Sequence, residues 1–263
     1  KGEVYFKGTL SGTTDTVFYL YYGNSAAAQP AVTDTYGRNN VWDTNYAAVW
    51  HLGVSGAIAD STGNGHNLTA SGTTYTTMAN YDCRQFNGTT NYLYTADTPA
   101  GLDAMSALTV EAWAYTTTYG ENSDGTILAK NGTGSYLLQM SNVPTYSLEG
   151  MLDGGNSLIT SQGSFGHNRW GYAAMTVAAG TDNYKILTDG VVTGTGTMAG
   201  LPINNGTANA VIGARTTAND RAYAGYIREV RVSTTARSGN WITTTHNNTS
   251  APAAFMSAGS QEY

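Results

Sequence analysis

Apolar positions recur in short runs along the 263 residues, and polar turn clusters divide those runs at fairly even spacing. The clearest runs are LTVEAWAY (108–115), GTILAK (125–130), SYLLQM (135–140), YSLEGML (146–152), WGYAAMTV (170–177), YKILTDG (184–190) and AVIGAR (210–215). Several alternate with period two, the mark of a sheet with one covered face. The breaks DGG, NGT and TDG use residues that tolerate positive φ, and Asp189-Gly190 predicts a two-residue hairpin. Nearer the start, TVFYLYYGN (16–24) reads as a strand closed by a Gly-Asn turn. The next stretch carries Pro30 and reads as a loop or linker, with a weak helix over 25–28. The pattern predicts a helix over 237–248 with Ser238 as its N-cap, then a return in extended form.

This gives an all-β molecule with three parts: an N-terminal β segment and linker (1–45), a β-sandwich (46–236), and a C-terminal helix and tail (237–263) packed on it. Composition agrees. Hydrophobic residues reach 41%, enough for a core, while charged residues are only 11% and Gly (32) and Tyr (19) are abundant. Helix interiors favour other residues. The net charge of −6 and the lack of any basic run argue against nucleic-acid binding. No apolar run approaches the ~20 residues of a membrane helix. The chain opens on Lys1 without an initiator Met, which reads as a processed product or a fragment of a longer protein. Cys83 is alone and reads as a small buried hydrophobe, and the four scattered His show no zinc spacing.

The stretch AGYIREVRVS (224–233) packs three charges into four positions of a strand. Strict alternation would put Ile227, Glu229 and Arg231 on one face and Arg228, Val230 and Val232 on the other. Glu229 and Arg231 read as a partly buried ion pair fixing register, in preference to the floor of a sugar site.

Four stretches in order give the chain a resemblance. They are VWHL with ADSTGNGHNLTA, LTVEAWAY, NRWGYAAMTV with YKILTDGVV, and YAGYIREVRVSTTARS. Residues 47–233 resemble the laminin G-like, concanavalin A-like lectin/glucanase superfamily. DTVFYLYYGN resembles the end of a bacterial domain of unknown function that often precedes such domains, and residues 237–262 resemble the tail that often follows them. The resemblance implies a jelly-roll β-sandwich of two antiparallel sheets, with Trp113 and Trp170 in the core and Glu111 as a framework residue. It also implies glycan binding and, in many members, one Ca²⁺ at a sheet edge. Asp60, the Gly63 carbonyl and Asn64 are the candidate metal ligands. Arg228 stands where the family usually has an aspartate, which counts against the ion. The alternative for Asp60 is an Asx-turn closing the Gly-rich loop.

No Glu starts the Glu-x-Asp-x-x-Glu pattern of the superfamily's glucanases, and Glu111 has no acidic partner at i+2 or i+4. No Gly-x-Ser-x-Gly elbow appears. The chain therefore reads as a non-catalytic, extracellular or surface-exposed binding or adhesion module for a glycan or surface polymer. Loops 116–125 and 215–225 are expected to form its rim, with Tyr119, Asn122, Asp220, Tyr223 and Tyr226 as ligand contacts. Two rivals stay open: a structural subunit of a surface assembly that pairs with copies of itself or a neighbour, and a glycan hydrolase or lyase with an unfamiliar site.

Overall fold

A computed structural model describes residues 3–130, 136–143, 145–152, 156–159 (backbone only), 165–180, 183–197, 201–254, 256–257 and 259. The turn clusters at 131–133 and 153–155 and part of the tail lie outside the described residues. Fifteen strands follow in chain order among those described. They are β1 (Tyr46–His51), β2 (Thr69–Ser71), β3 (Thr74–Met78), β4 (Tyr81–Asn87), β5 (Tyr92–Thr95), β6 (Leu108–Thr116), β7 (Thr126–Lys130) and β8 (Tyr136–Ser141). Then come β9 (Ser147–Leu152), β10 (Asn156–Ile159), β11 (Trp170–Val177), β12 (Tyr184–Thr188), β13 (Val191–Gly196), β14 (Ala210–Ile212) and β15 (Ala224–Ser233). The helix α1 (Gly239–Ser250) closes the order.

The strands form two antiparallel sheets, as a jelly-roll sandwich requires. One runs β13-β12-β11-β6-β15-β4-β3 with β1 also on β15, and the other runs β10-β9-β8-β7-β14-β5-β2. β15 is the spine of the first sheet. It pairs with β6 along one edge, and along the other with β4 through Ala224–Ile227 and β1 through Glu229–Ser233. Between the sheets lie Trp50, Val110, Leu128, Leu138, Ile186, Ile227 and Val230, all buried. Each such aliphatic contributes about 1.5–3 kcal/mol over an exposed one.

Period two alone does not describe the central strands. β6 is buried on both faces. Val110, Ala112 and Ala114 point into the sandwich, while Trp113 joins a second apolar cluster with Tyr172, Ala174, Leu187 and Ile242 of α1. Trp113 is therefore a buried residue of the sheet's outer face, under the helix, where the ring of His246 stacks on it at 5.4 Å. Trp170 packs beside that cluster, half-buried. Glu111 also faces outward from mid-strand, where the hydroxyl of Tyr172 donates to it at 2.5 Å. As a framework residue it thus pairs from the middle of its strand rather than from its start.

Other expectations divide. The Asp189-Gly190 hairpin forms between β12 and β13, with φ of 52° and 79°. Ser238 caps α1 by accepting from the Trp241 amide at 3.2 Å. A 3-10 turn (Pro252–Ala254) follows the helix where an extended return was expected. Residues 16–24 belong to no strand, and a turn replaces the weak helix over 25–28.

The alternation expected for β15 breaks at Arg228. Ile227 pairs with Ala114 and Glu229 with Trp113, so Arg228 is the extra residue of a β-bulge. Ile227 thus points into the core with Val230 and Val232. Arg228, Glu229 and Arg231 all take the outer face, where their partners lie. The bulge converts one aliphatic face into a row of three charges on the other.

Candidate functional site

The outer face of the first sheet carries a cleft of about 300 Å³ beside that bulge. Its walls come from β1 (His51), the β3–β4 turn (Asn80), the start of β4 (Tyr81, Asp82), β15 (Arg228, Glu229) and the N-terminal segment (Glu3, Tyr5). A second cleft of about 500 Å³ adjoins it and shares Glu3, Tyr5 and His51. Tyr5 therefore stands between the two.

Arg228 is 4% exposed. Its guanidinium lies 4.0 Å from the Tyr81 ring centroid, 5.0 Å from Trp113 and 5.7 Å from Trp170. Nη1 contacts Glu3 Oε1 at 2.5 Å. A buried guanidinium needs such a partner, and stacking on aromatic faces adds to it. Glu229 is held by His51 Nδ1 at 2.7 and 2.9 Å and by Arg231 at 3.7 Å. The ion pair read from the sequence between Glu229 and Arg231 is present, and Glu229 lines the cleft as well.

Tyr5 lies flat on His51 at 4.8 Å, and Trp42 tilts against both rings. Burial, followed by the charge of Glu229, pushes the Tyr5 phenol well above its ordinary range. Tyr5 therefore stays a neutral ring with a hydroxyl, which donates to Glu3 at 2.9 Å. Burial opposes the charge on Arg231, but the carboxylates of Glu229 and Glu111 outweigh it and hold Arg231 protonated.

Tyr226, a predicted contact, lies on the same sheet face. It stands edge-on to Tyr115 at 5.8 Å, Tyr115 stands edge-on to Trp170, and Trp170 to Tyr81. The outer face is thus tiled with rings that lead to the cleft. Sugars are recognised by such ring faces together with a few fixed polar groups. Glu3, Tyr5, His51 and Tyr81 had no signal in the sequence, because nothing local marks residues 3–5 as crossing a strand some 220 positions later.

The other predicted contacts go elsewhere. Tyr223 is fully buried in the sandwich core and its hydroxyl meets Thr116 Oγ1 at 2.9 Å, so its expected place on the rim is corrected. It follows the turn into β15 and is drawn inward against Phe86. Tyr119, Asn122 and Asp220 lie in loops at the end of the sandwich where β15 begins, with Thr117 and Glu121 donating to the Ala224 and Ala222 carbonyls. Asp220 is ion-paired with Arg215. Tyr119 stacks on Tyr146 at 4.5 Å, and Tyr146 on His167 at 4.3 Å. Tyr146 holds φ of 52°, which costs a residue with a Cβ about 1–2 kcal/mol.

Asp60, Gly63 and Asn64 form the Gly-rich loop beside β1. The buried carboxylate of Asp60 accepts from the amides of Val49, Thr62 and His66 at 3.2, 3.0 and 3.2 Å and from the Thr62 hydroxyl at 2.8 Å. The Asn64 amide nitrogen donates to the Tyr46 and Ala47 carbonyls. These residues do not fit a calcium ion as they stand, since donors converge on Asp60 and the Asn64 nitrogen is turned to the backbone. Among the described residues no group of three or more His, Cys, Asp or Glu could hold a metal.

The decisive comparison is with protein families. Residues 87–258 match the family described as the concanavalin A-like lectin/glucanases superfamily, about two thirds of the chain. The chain belongs to the concanavalin A-like lectin/glucanases superfamily. Solved structures with this lectin-like fold agree on architecture. The binding domain of Paraclostridial Mosquitocidal Protein 1 matches 78% of the chain at a TM-score of 0.63 and 13% identity, over 52% of its own length. The botulinum neurotoxin serotype G binding domain matches 79% at 0.61 and 12%, again over 52% of its length. Domain 4 of AbnA, a GH43 extracellular arabinanase from Geobacillus stearothermophilus, solved in complex with arabinotriose, matches 76% at 0.58 and 17% identity, over 97% of its length. The chain spans about half the length of the toxin domains it matches. No curated protein matches it.

Proposed function

We propose that the chain is a non-catalytic carbohydrate-binding module acting outside the cytoplasm or on a surface, and that it takes its glycan in the sheet-face cleft. The observation that carries this reading is the meeting of Tyr5, His51 and Tyr81 with the buried Arg228 in one open cleft. Ring faces suit the C–H face of a sugar, and guanidinium, carboxylate and phenol groups suit its hydroxyls. The lectin-like fold and the neighbours, which include toxin binding domains and an arabinanase domain holding arabinotriose, support the same class.

Hydrolysis fits the cleft poorly. Its carboxylates are each engaged: Glu3 with Arg228, Glu229 with His51, and Asp82 with the Thr77 hydroxyl at 2.8 Å. A glycosidase needs one carboxyl free to donate a proton and another free to attack or activate water. A second reading, a subunit of a surface assembly, is favoured by one observation. Nine large apolar side chains between Val4 and Tyr22 are exposed, half of all those exposed among the described residues.

A printed glycan array, followed by calorimetry with each retained glycan, tests the cleft. Tyr81→Ala and Arg228→Gln are expected to lower affinity about tenfold, the scale of one lost stacking or charged contact, with unchanged circular dichroism. Retention of no glycan, or an affinity in both variants unchanged from that of the parent chain, would sink the reading.

A further inference from the structure

The loops at the start of β15 hold an aromatic arrangement that the sheet-face cleft does not use. Tyr119, Tyr146 and His167 come from three separate loops and form a ladder, with centroid spacings of 4.5 and 4.3 Å and interplanar angles of 23° and 30°. Tyr146, the middle rung, packs its body against the main core, while His167 at one end is exposed. The ladder is thus anchored at its centre and open at its edge.

The backbone around it is unusual. Ten non-glycine residues among those described hold positive φ, and Asn122, Ser123, Tyr146, Asn168, Asn219 and Arg221 belong to this cluster of loops. Strained backbone of this kind persists only where the surroundings enforce it, and it concentrates at ligand clamps. Here the enforcement is visible. Asn168 donates its amide to the Thr116 carbonyl at 2.9 Å, Ala222 donates to Glu121 Oε2 at 3.3 Å, and Arg221 pairs with Asp124 at 3.4 Å. Arg221 and Asp124 thus pair with one another, as do Arg215 and Asp220, while Glu121 is held by a backbone amide. What faces solvent is ring surface fringed by the exposed amides of Asn122 and Asn168.

We infer that this ladder is a second carbohydrate subsite, selective for neutral oligosaccharides. Ring edges and faces take the C–H surface of a sugar, the two asparagine side chains serve its hydroxyls, and the guanidiniums of Arg215 and Arg221 are already paired with Asp220 and Asp124, so neither is offered to an anionic group. The inference rests on the carbohydrate reading above but on different residues. One module with two subsites engages a polysaccharide at two points and gains avidity where the spacing allows both.

The test is an amide chemical-shift titration of the isotope-labelled chain with arabinotriose, cellotriose and mannotriose, each to about 10 mM, the weak end of specific binding. The Asn122, His167 and Asn168 amides are expected to shift with at least one probe. Tyr119→Ala and His167→Ala should each weaken that response about fivefold while the amides of Tyr81 and Arg228 respond as before. Two peripheral variants are used because Tyr146 is tied to the core. Shifts at Tyr81 and Arg228 with a silent rim would overturn the second subsite and leave the cleft standing. Shifts at the rim alone would support it and overturn the cleft. Silence at both with all three probes overturns both. Rim shifts that both variants leave intact also overturn it.

Discussion

At the residue scale, one extra backbone position decides what the charged strand does. Without the bulge at Arg228, Ile227 would face outward and Arg228 would enter the sandwich core, where an unpaired guanidinium cannot be accommodated. With it, three charges share the outer face and form both the ion pair and the cleft. A second residue, His66, is buried with neither ring nitrogen partnered among the described residues. Burial, partly countered by Asp60, holds its pKa below the ordinary 6.5. The unfolded chain therefore takes up a proton near pH 6.5 and the folded chain only at lower pH. Stability from this residue is complete above that pH and falls as the pH drops through it, by up to about 1.4 kcal/mol per unit for one proton. Denaturant unfolding between pH 7 and 5 should show this slope, and His66→Leu should flatten it. An equal slope in the variant would assign it to other groups.

At the element scale, α1 shows how a weak helix becomes stable. Its twelve residues, GNWITTTHNNTS, include few strong helix formers. It forms because Ser238 caps it, Ile242 is buried in the cluster with Trp113 and Tyr172, and Thr243 donates to the Gly190 carbonyl of the β12–β13 hairpin. Ser238→Ala should cost about 1 kcal/mol. The loss should appear as faster hydrogen exchange in α1 before the sandwich itself opens; uniform acceleration across β6 and β15 would contradict a local role. The N-terminal segment is the converse case. Its aromatic run has strand propensity, yet no edge pairs with it; ties to the rest of the chain are made at other residues, Glu3 to Arg228, Tyr5 to His51, Trp42 to Tyr46 and Asp43 to Arg237.

At the scale of the whole molecule, two questions meet in one measurement: light scattering coupled to sizing, with and without EDTA. The Asp60 loop is closed by its own amides and the Thr62 hydroxyl, so chelation is expected to change neither mass nor melting temperature. A melting temperature that drops in EDTA would return calcium to the loop. A mass well above the 27.7 kDa of one chain would instead move the surface-assembly reading forward and point to the exposed side chains of 4–22.

The sequence by itself determined the class of the molecule. Period-two runs, the Asp189-Gly190 turn and the capped helix at Ser238 are local signals, set by side-chain alternation, φ tolerance and one hydrogen bond. The four ordered stretches that carry the family resemblance are local as well. The tertiary structure alone decided which residues meet. The bulge at Arg228 depends on the register of β15 against β6, which no window of sequence contains. Tyr223 entered the main core, and Trp113, buried as expected, packs in a second cluster under the helix, because burial belongs to the packed sheets and the docked helix, not to residue type. The cleft joins Glu3 and Tyr5 to residues 228 and 229, a contact made by the path of the chain across a finished sheet.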